Sequence, residues 1–203
     1  MNDPSTKPRD RLGELDAHRL EAFSDGVMAV IITIMAFDLK TPVTADLHGL
    51  GQRVAPLLVY ALSFTGIGIY WNNHHHLLRA TRRISGAVMW TNLHLLFWLS
   101  LVPFTTAWVG TAHGRSLPAV AYGAVALGAA LAYTALVRAI LHANPDDQQI
   151  TAAVGTDVKG MVSLVIYATG VALAFLSPYL AYACYVSVSV IWFVPDRRLT
   201  RSA

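Results

Sequence analysis

Charge is what this chain has least of. Asp, Glu, Lys and Arg make up 13% of its 203 residues, against about 25% in an average soluble domain. Too little charge to solvate the surface of a soluble domain, with 55% hydrophobic residues and a mean hydropathy of +0.47, specifies an integral membrane protein. Cysteine is nearly absent as well. Cys184 stands alone in an apolar run, which excludes an internal disulfide and a cysteine-held zinc site and reads as a packing residue. Enzyme signatures are also missing: there is no GxSxG, no HExxH, no phosphate-binding loop and no cysteine cluster, so the sequence is read as a non-enzyme without cofactor or metal. No cleavable leader is evident, because the first apolar run begins near Leu20 and lacks a small-residue cleavage site.

What is present is a series of apolar runs. Six helical spans are expected at 20–39, 54–72, 87–109, 118–141, 160–177 and 179–194, each of about 17 residues or more. The last two are short and meet at Ser177-Pro178, a tight hairpin. The fourth carries Gly123, Ala124, Gly128, Ala129 and Ala132, small residues that let helices approach closely in a membrane. The organisation is a polar cytoplasmic amino-terminal segment (1–18, of which 1–10 is expected to be disordered), one six-helix domain (19–195) and a basic cytoplasmic tail (196–203). The fold class is an all-α membrane protein.

The basic residues sit between the spans rather than in one patch, so a pI of about 9.2 is read as topology and not as nucleic-acid binding. Of the 15 Lys and Arg residues, only Lys40, Arg53 and Arg115 fall on one side of the membrane. The other side holds Lys7, Arg9, Arg11, Arg19, Arg79, Arg82, Arg83, Arg138, Lys159, Arg197, Arg198 and Arg201. With an even number of spans, both termini are expected in the cytoplasm. Tyr70, Trp71, Trp90, Trp108, Trp192 and Phe193 are placed as an interfacial belt.

The most unusual stretch is Arg19-Leu-Glu-Ala-Phe23-Ser24-Asp25 opening the first span. Ionisable groups within a membrane helix are costly and mark function by default. A helical wheel with Val30 as origin puts Ile34 at about +40°, Phe37 at about −20°, Thr41 at about +20° and Thr33 at about −60°. Asp25 falls at about −140° and Glu21 at about 180°, on the far side. Asp25 therefore faces the bundle and needs a partner there. Candidates at the same depth are Ser24, the His74–His76 cluster that follows Trp71-Asn-Asn, and Asn92 or His94 on the third span. Three consecutive histidines point about 100° apart and cannot share one ion, so a hydrogen-bonding role is expected for them, with histidine titration near neutrality a further possibility. No second mid-membrane histidine matches His94 for a haem. Asp38 and Lys40 end the first span on the outer side, either as a solvated helix end or, in a symmetric oligomer, as a ring of carboxylates concentrating cations.

Arg19-x-x-x-Phe23-Ser24-Asp25 followed by Gly-Val-Met-Ala-Val-Ile-Ile-Thr-Ile resembles the first helix of the transmembrane protein 175 family. Tyr70-Trp71 with His74–His76, and the run from Asn92 to Thr106, resemble its second and third helices. The resemblance implies a potassium-permeable cation channel of the prokaryotic plasma membrane. A single six-span repeat would assemble as a homotetramer, with first helices lining a central pore. It further implies a hydrophobic constriction at Val30, additional rings at Ile34 and Phe37, and ion preference at Thr33. Arg19, Phe23, Ser24, Asp25, His75, Asn92 and His94 would form the signature motif and its structural network, with Asp38 at the outer mouth. The constriction residue is a valine where the family commonly has isoleucine or leucine, and Phe37 is bulkier than the usual aliphatic. The alternatives are a proton channel or proton-coupled transporter using Asp25 and the histidines, and a non-transporting scaffold or haem or metal enzyme.

Overall fold

The structure, a computed structural model, describes residues 8–112, 114–145, 147–148, 150 and 158–193, with side chains from Leu15 onward. The described residues form helices and their connections: α1 (Pro8–Phe37), α2 (Leu47–Gly51), α3 (Val54–Ala80), α4 (Gly86–Ser100), α5 (Val102–Thr111), α6 (Ser116–Ala143), α7 (Val158–Ala174) and α8 (Pro178–Phe193). Four stretches, Leu15–Phe37, Leu47–Ala80, Gly86–Thr111 and Ser116–Ala143, are long and apolar enough to cross a membrane. Val158–Ala174 and Pro178–Phe193 are shorter apolar helices. The described residues are thus all-helical, with several helices able to cross a membrane.

Differences from the sequence expectation lie at the helix ends and at one break. Helix α1 starts at Pro8, so residues 8–10, expected to be disordered, are helical, and the polar segment runs into the first span without interruption. At about 1.5 Å per residue α1 is roughly 45 Å long, well beyond a hydrocarbon core of about 30 Å. It ends at Phe37, and Thr41 lies past it in an irregular segment, so the wheel angle for Thr41 does not apply. The span expected at 87–109 is divided at Leu101. Pro103 stands in the first turn of α5 and brings no N–H to the Leu99 carbonyl, and a proline inside a helix breaks or kinks it. Leu101 instead closes a tight turn on the Trp98 carbonyl at 3.2 Å. The basic tail 196–203 lies outside the described residues.

Helix α2 is a local device. Asp46 caps it by accepting the Gly49 N–H at 2.7 Å, and Thr44 Oγ1 donates to the same carboxylate oxygen at 2.7 Å. The Gly49 N–H, followed by the Thr44 hydroxyl, holds the Asp46 carboxyl below its ordinary value. A Cβ at Gly49 would run into the Thr44 carbonyl oxygen, so this turn requires glycine.

Helix α6 is the hub, packing against α4, α5, α7 and α8, while α1 packs against α3, α4 and α5. Close approach to α6 depends on its small residues. A Cβ on Gly128 would enter the Trp98 indole of α4, and one on Gly123 would collide with the Tyr185 hydroxyl of α8. Ala129 and Ala132 are buried at 1% and 0% exposure, whereas Ala124 faces outward. The hairpin at Ser177-Pro178 is present: α7 ends at Ala174, Ser177 N–H donates to the Leu173 carbonyl at 2.8 Å, and α8 starts on Pro178.

The α3–α4 connection meets the carboxyl end of α6. Asn144, just past α6, accepts the Arg83 N–H at 2.9 Å and donates to the Arg83 carbonyl at 3.1 Å. Arg82 pairs with Asp147 at 3.4 Å. The α3–α4 connection and the carboxyl end of α6 therefore share one end of the bundle. Of the expected aromatic belt, Trp71, Trp90 and Phe193 are exposed. Tyr70 instead packs edge-on against Tyr133, with ring centroids 5.9 Å apart, and the Trp192 indole N–H donates to Ser163 Oγ at 2.9 Å. Both aromatics take part in helix packing.

Candidate functional site: the two faces of helix α1

Helix α1 has one covered stripe and one bare one. Ala17, Leu20, Ser24, Met28, Ile31 and Met35 are buried, a run of three- and four-residue steps that keeps one side of a helix against its neighbours. The opposite side is open: Val30 is 55% exposed, Ile34 46% and Phe37 89%, and Thr33 is exposed beside them. The residues that share a face on the sequence wheel do share one in the structure. Exposure alone also describes a lipid-facing surface, since Leu57, Leu58 and Leu131 are similarly bare. Unlike those leucines, Thr33 carries a hydroxyl. It donates to the Val30 carbonyl at 2.8 Å and keeps lone pairs that can accept, as do the exposed, backbone-bonded hydroxyls of Ser100 and Thr111.

The covered stripe is clamped at two levels. At the upper level Thr106 Oγ1 donates to Met35 Sδ at 3.9 Å and pairs with Ser63 Oγ at 2.7 Å, and Ser63 pairs with the Tyr122 hydroxyl at 3.1 Å. That layer joins α1, α5, α3 and α6.

The lower clamp is a directional chain. Ser24, fully buried, donates its hydroxyl hydrogen to the Leu20 carbonyl at 2.8 Å. Its oxygen must then accept, so the amide nitrogen of Asn92 points at it, 2.9 Å away. Asn92 Oδ1 is left to accept from His74 Nε2 at 2.7 Å. In this arrangement Nε2 carries the hydrogen and a neutral His74 keeps Nδ1 bare, in agreement with the buried, unpartnered His74 Nδ1. The chain joins α1, α4 and α3 through groups at 0% exposure, where hydrogen bonds are strong and broken ones costly.

Beside this chain stands a titratable trio. Glu21 and Asp25, one turn apart on α1, meet His75 of α3, and one ligand atom from each lies within 4.8 Å of the others. His75 Nδ1 is 2.6 Å from Glu21 Oε1, but its N–H direction does not fit a hydrogen bond, and Asp25 Oδ1 is buried without any partner. The Trp71 ring stacks on His75 at 5.8 Å and 23°.

Sequence reasoning placed the polar groups at one depth, and the structure sorts them. His74 joins the Ser24–Asn92 chain, while His75 joins the carboxylates. Asn92 serves as the α4 partner. His94 lies outside the network: it is exposed and accepts the Trp98 indole N–H at 2.9 Å. Arg19 and Phe23 are exposed on α1 and Asp25 is half-buried. Asp38 is exposed just beyond α1, with its N–H on the Ile34 carbonyl at 3.2 Å. Glu21 was not singled out from the sequence. The signal that could have found it is its four-residue spacing from Asp25.

The described residues thus form a multi-pass helical bundle whose first helix is clamped on one side and bare on the other. Comparison with known proteins defines it further. Residues 19–103 match the family described as endosomal/lysosomal potassium channel TMEM175. A potassium channel of Chryseobacterium sp. (strain P1-3) is 42% identical over 184 residues, which cover 91% of this chain and 96% of that protein. The chain belongs to the TMEM175 family. The fold agrees with the crystal structure of a lysosomal potassium-selective channel TMEM175 homolog from Chamaesiphon minutus, with a TM-score of 0.75, 25% identity, and coverage of 93% of this chain and 99% of that one. The endosomal/lysosomal proton channel TMEM175 of Gallus gallus is 25% identical over 82% of this chain and 34% of its own length.

Proposed function

We propose that this protein is a potassium-permeable cation channel of the prokaryotic cell membrane, assembled as a homotetramer with both termini in the cytoplasm. The bare faces of four α1 helices line the pore. The carrying observation is the two-sidedness of α1: Val30, Thr33, Ile34 and Phe37 are uncovered, opposite a stripe held by Ser24 and Met35. Val30, Ile34 and Phe37 form apolar rings that close the pore by steric contact and dewetting. Thr33 offers its outward oxygens between them and sets ion preference. Ser24, bonded through Asn92 to His74, holds the helix in register, whereas Arg19 and Phe23 are exposed on α1 and Asp25 sits beside His75; Asp38 supplies carboxylates at the outer mouth.

The test is potassium flux into liposomes. Asn in place of Ile34 wets the constriction and should raise basal flux at least tenfold, whereas Leu131→Ala on the exposed face of α6 should leave it unchanged. Unchanged flux in Ile34→Asn would remove α1 from the pore wall.

A second reading, in which protons are carried, draws on the titratable trio Glu21, Asp25 and His75. The relative in Gallus gallus is named a proton channel. Saturable, pH-gradient-driven flux without single-channel potassium currents would favour it over the first.

A further inference from the structure

We propose that Glu21, Asp25 and His75 form a binding site for a first-row transition-metal dication of the zinc class, bridging α1 to α3 on the side of α1 away from its bare face. Glu21 and Asp25 are separated by four residues, which stacks their carboxylates on one side of the helix. His75 meets them from α3, and one ligand atom of each already lies within 4.8 Å of the other two. Ligands around a tetrahedral ion at about 2.0–2.2 Å stand roughly 3.5 Å apart, so small side-chain rotations close the set. The adjacent histidines do not need to share the ion, because only His75 points into the cluster, with its ring against the Trp71 face.

Two features point to a ligand rather than to a self-contained network. Asp25 Oδ1 is sealed from solvent with no hydrogen-bond partner, an expensive state for a carboxylate. His75 Nδ1 sits 2.6 Å from Glu21 Oε1 without its N–H aimed there. A cation between them would give the carboxylate oxygens and the ring nitrogen lone pair a common partner. The cluster also sets two carboxylates against one imidazole. Among the described residues no lysine or arginine pairs with either carboxylate. The other groups facing the cluster are His18, largely exposed with Nδ1 4.0 Å from Glu21 Oε2, His76, whose ring meets His75 edge-on, and His74, committed to Asn92. An O,O,N donor set favours zinc, cobalt or nickel over magnesium and calcium, which prefer all-oxygen shells. Water completes the coordination. Because the site joins α1 to α3, the bound ion restrains the pore helix; this consequence rests on the channel reading above.

The purified full-length protein is titrated with Co2+, whose visible d–d bands report the ligand field. One Co2+ per protomer should bind, be displaced by Zn2+, and raise the thermal midpoint. His75→Gln and Glu21→Gln, each checked for monodispersity, should weaken binding at least about tenfold, because a direct ligand matters no less than an outer-shell partner. His18→Gln should retain the bands. Failure of Co2+ to bind, or binding by His75→Gln and Glu21→Gln as tight as that of the unaltered protein, overturns the site. Flux is read separately: Zn2+ should slow potassium flux in the wild type and not in His75→Gln. Binding without slowing overturns the restraint on α1, and absence of flux in all proteins overturns the channel reading while the metal site stands.

Discussion

The two halves of this bundle bury polar groups to different ends. Among the described residues of α6, α7 and α8, no buried side-chain nitrogen or oxygen lacks a hydrogen-bond partner. The Tyr185 hydroxyl donates to the Ala119 carbonyl at 3.1 Å, and Trp192 donates to Ser163, which in turn donates to the Lys159 carbonyl at 2.7 Å. Small residues let these helices touch. In the half built by α1, α3 and α4 the Ser24–Asn92–His74 chain is closed, yet Asp25 Oδ1, His74 Nδ1 and His75 Nδ1 lack hydrogen-bond partners, and one face of α1 is left bare. The first region is a scaffold satisfied within one chain. The second leaves groups unmet on both sides of α1, where the proposed pore wall and the proposed metal site lie.

Substitutions should separate the two regions. The largest loss of stability is expected from Gly128→Leu, whose side chain would occupy the space of the Trp98 indole. Overpacking of this size should cost about 3 kcal/mol or more, read as a lowered thermal midpoint in detergent; a protein that tolerates it would dissolve the scaffold description. Asn92→Leu comes next. It strands the His74 Nε2–H and removes the donor to Ser24, for about 2–3 kcal/mol, and by loosening α1 it should also alter flux per folded channel. Tyr185→Phe removes one hydrogen bond on the scaffold side and should cost about 1 kcal/mol with flux unchanged. A change in flux here would mean that the two halves are coupled. Smallest in stability is Thr33→Val, within about 0.5 kcal/mol as for an exposed residue. It alone among these is expected to lower the preference for potassium over sodium, measured as a shift in reversal potential under opposed gradients.

Much of this could be read from the sequence. Low charge and six apolar runs gave the membrane class. The runs fall on the four stretches long enough to span and the two shorter apolar helices, while α2 and the division of the third run were not anticipated. The wheel gave the azimuth of Val30, Thr33, Ile34 and Phe37, because a regular helix fixes each residue's angle. The distance of each polar residue from its helix end gave the common depth of Ser24, His74, His75 and Asn92. The break at Leu101 was also within reach, since Pro103 was visible in the third span. Less legible was the choice among neighbours. Asn92 and His94 were equivalent candidates from depth alone, and one turns inward while the other pairs with Trp98 on the exposed side of α4.

What the sequence determined by itself, then, is the class of protein, the spans and the side of α1 on which each residue lies, because composition and helical periodicity are properties of single segments. The tertiary structure alone decided that His74 bonds Asn92 while His75 meets Glu21 and Asp25. It also decided that Glu21 stands with them and that no other described helix covers the Val30 face. Those outcomes depend on the rotation and spacing of neighbouring helices, which the close contacts of Gly123 and Gly128 with residues on other helices set and no single segment encodes.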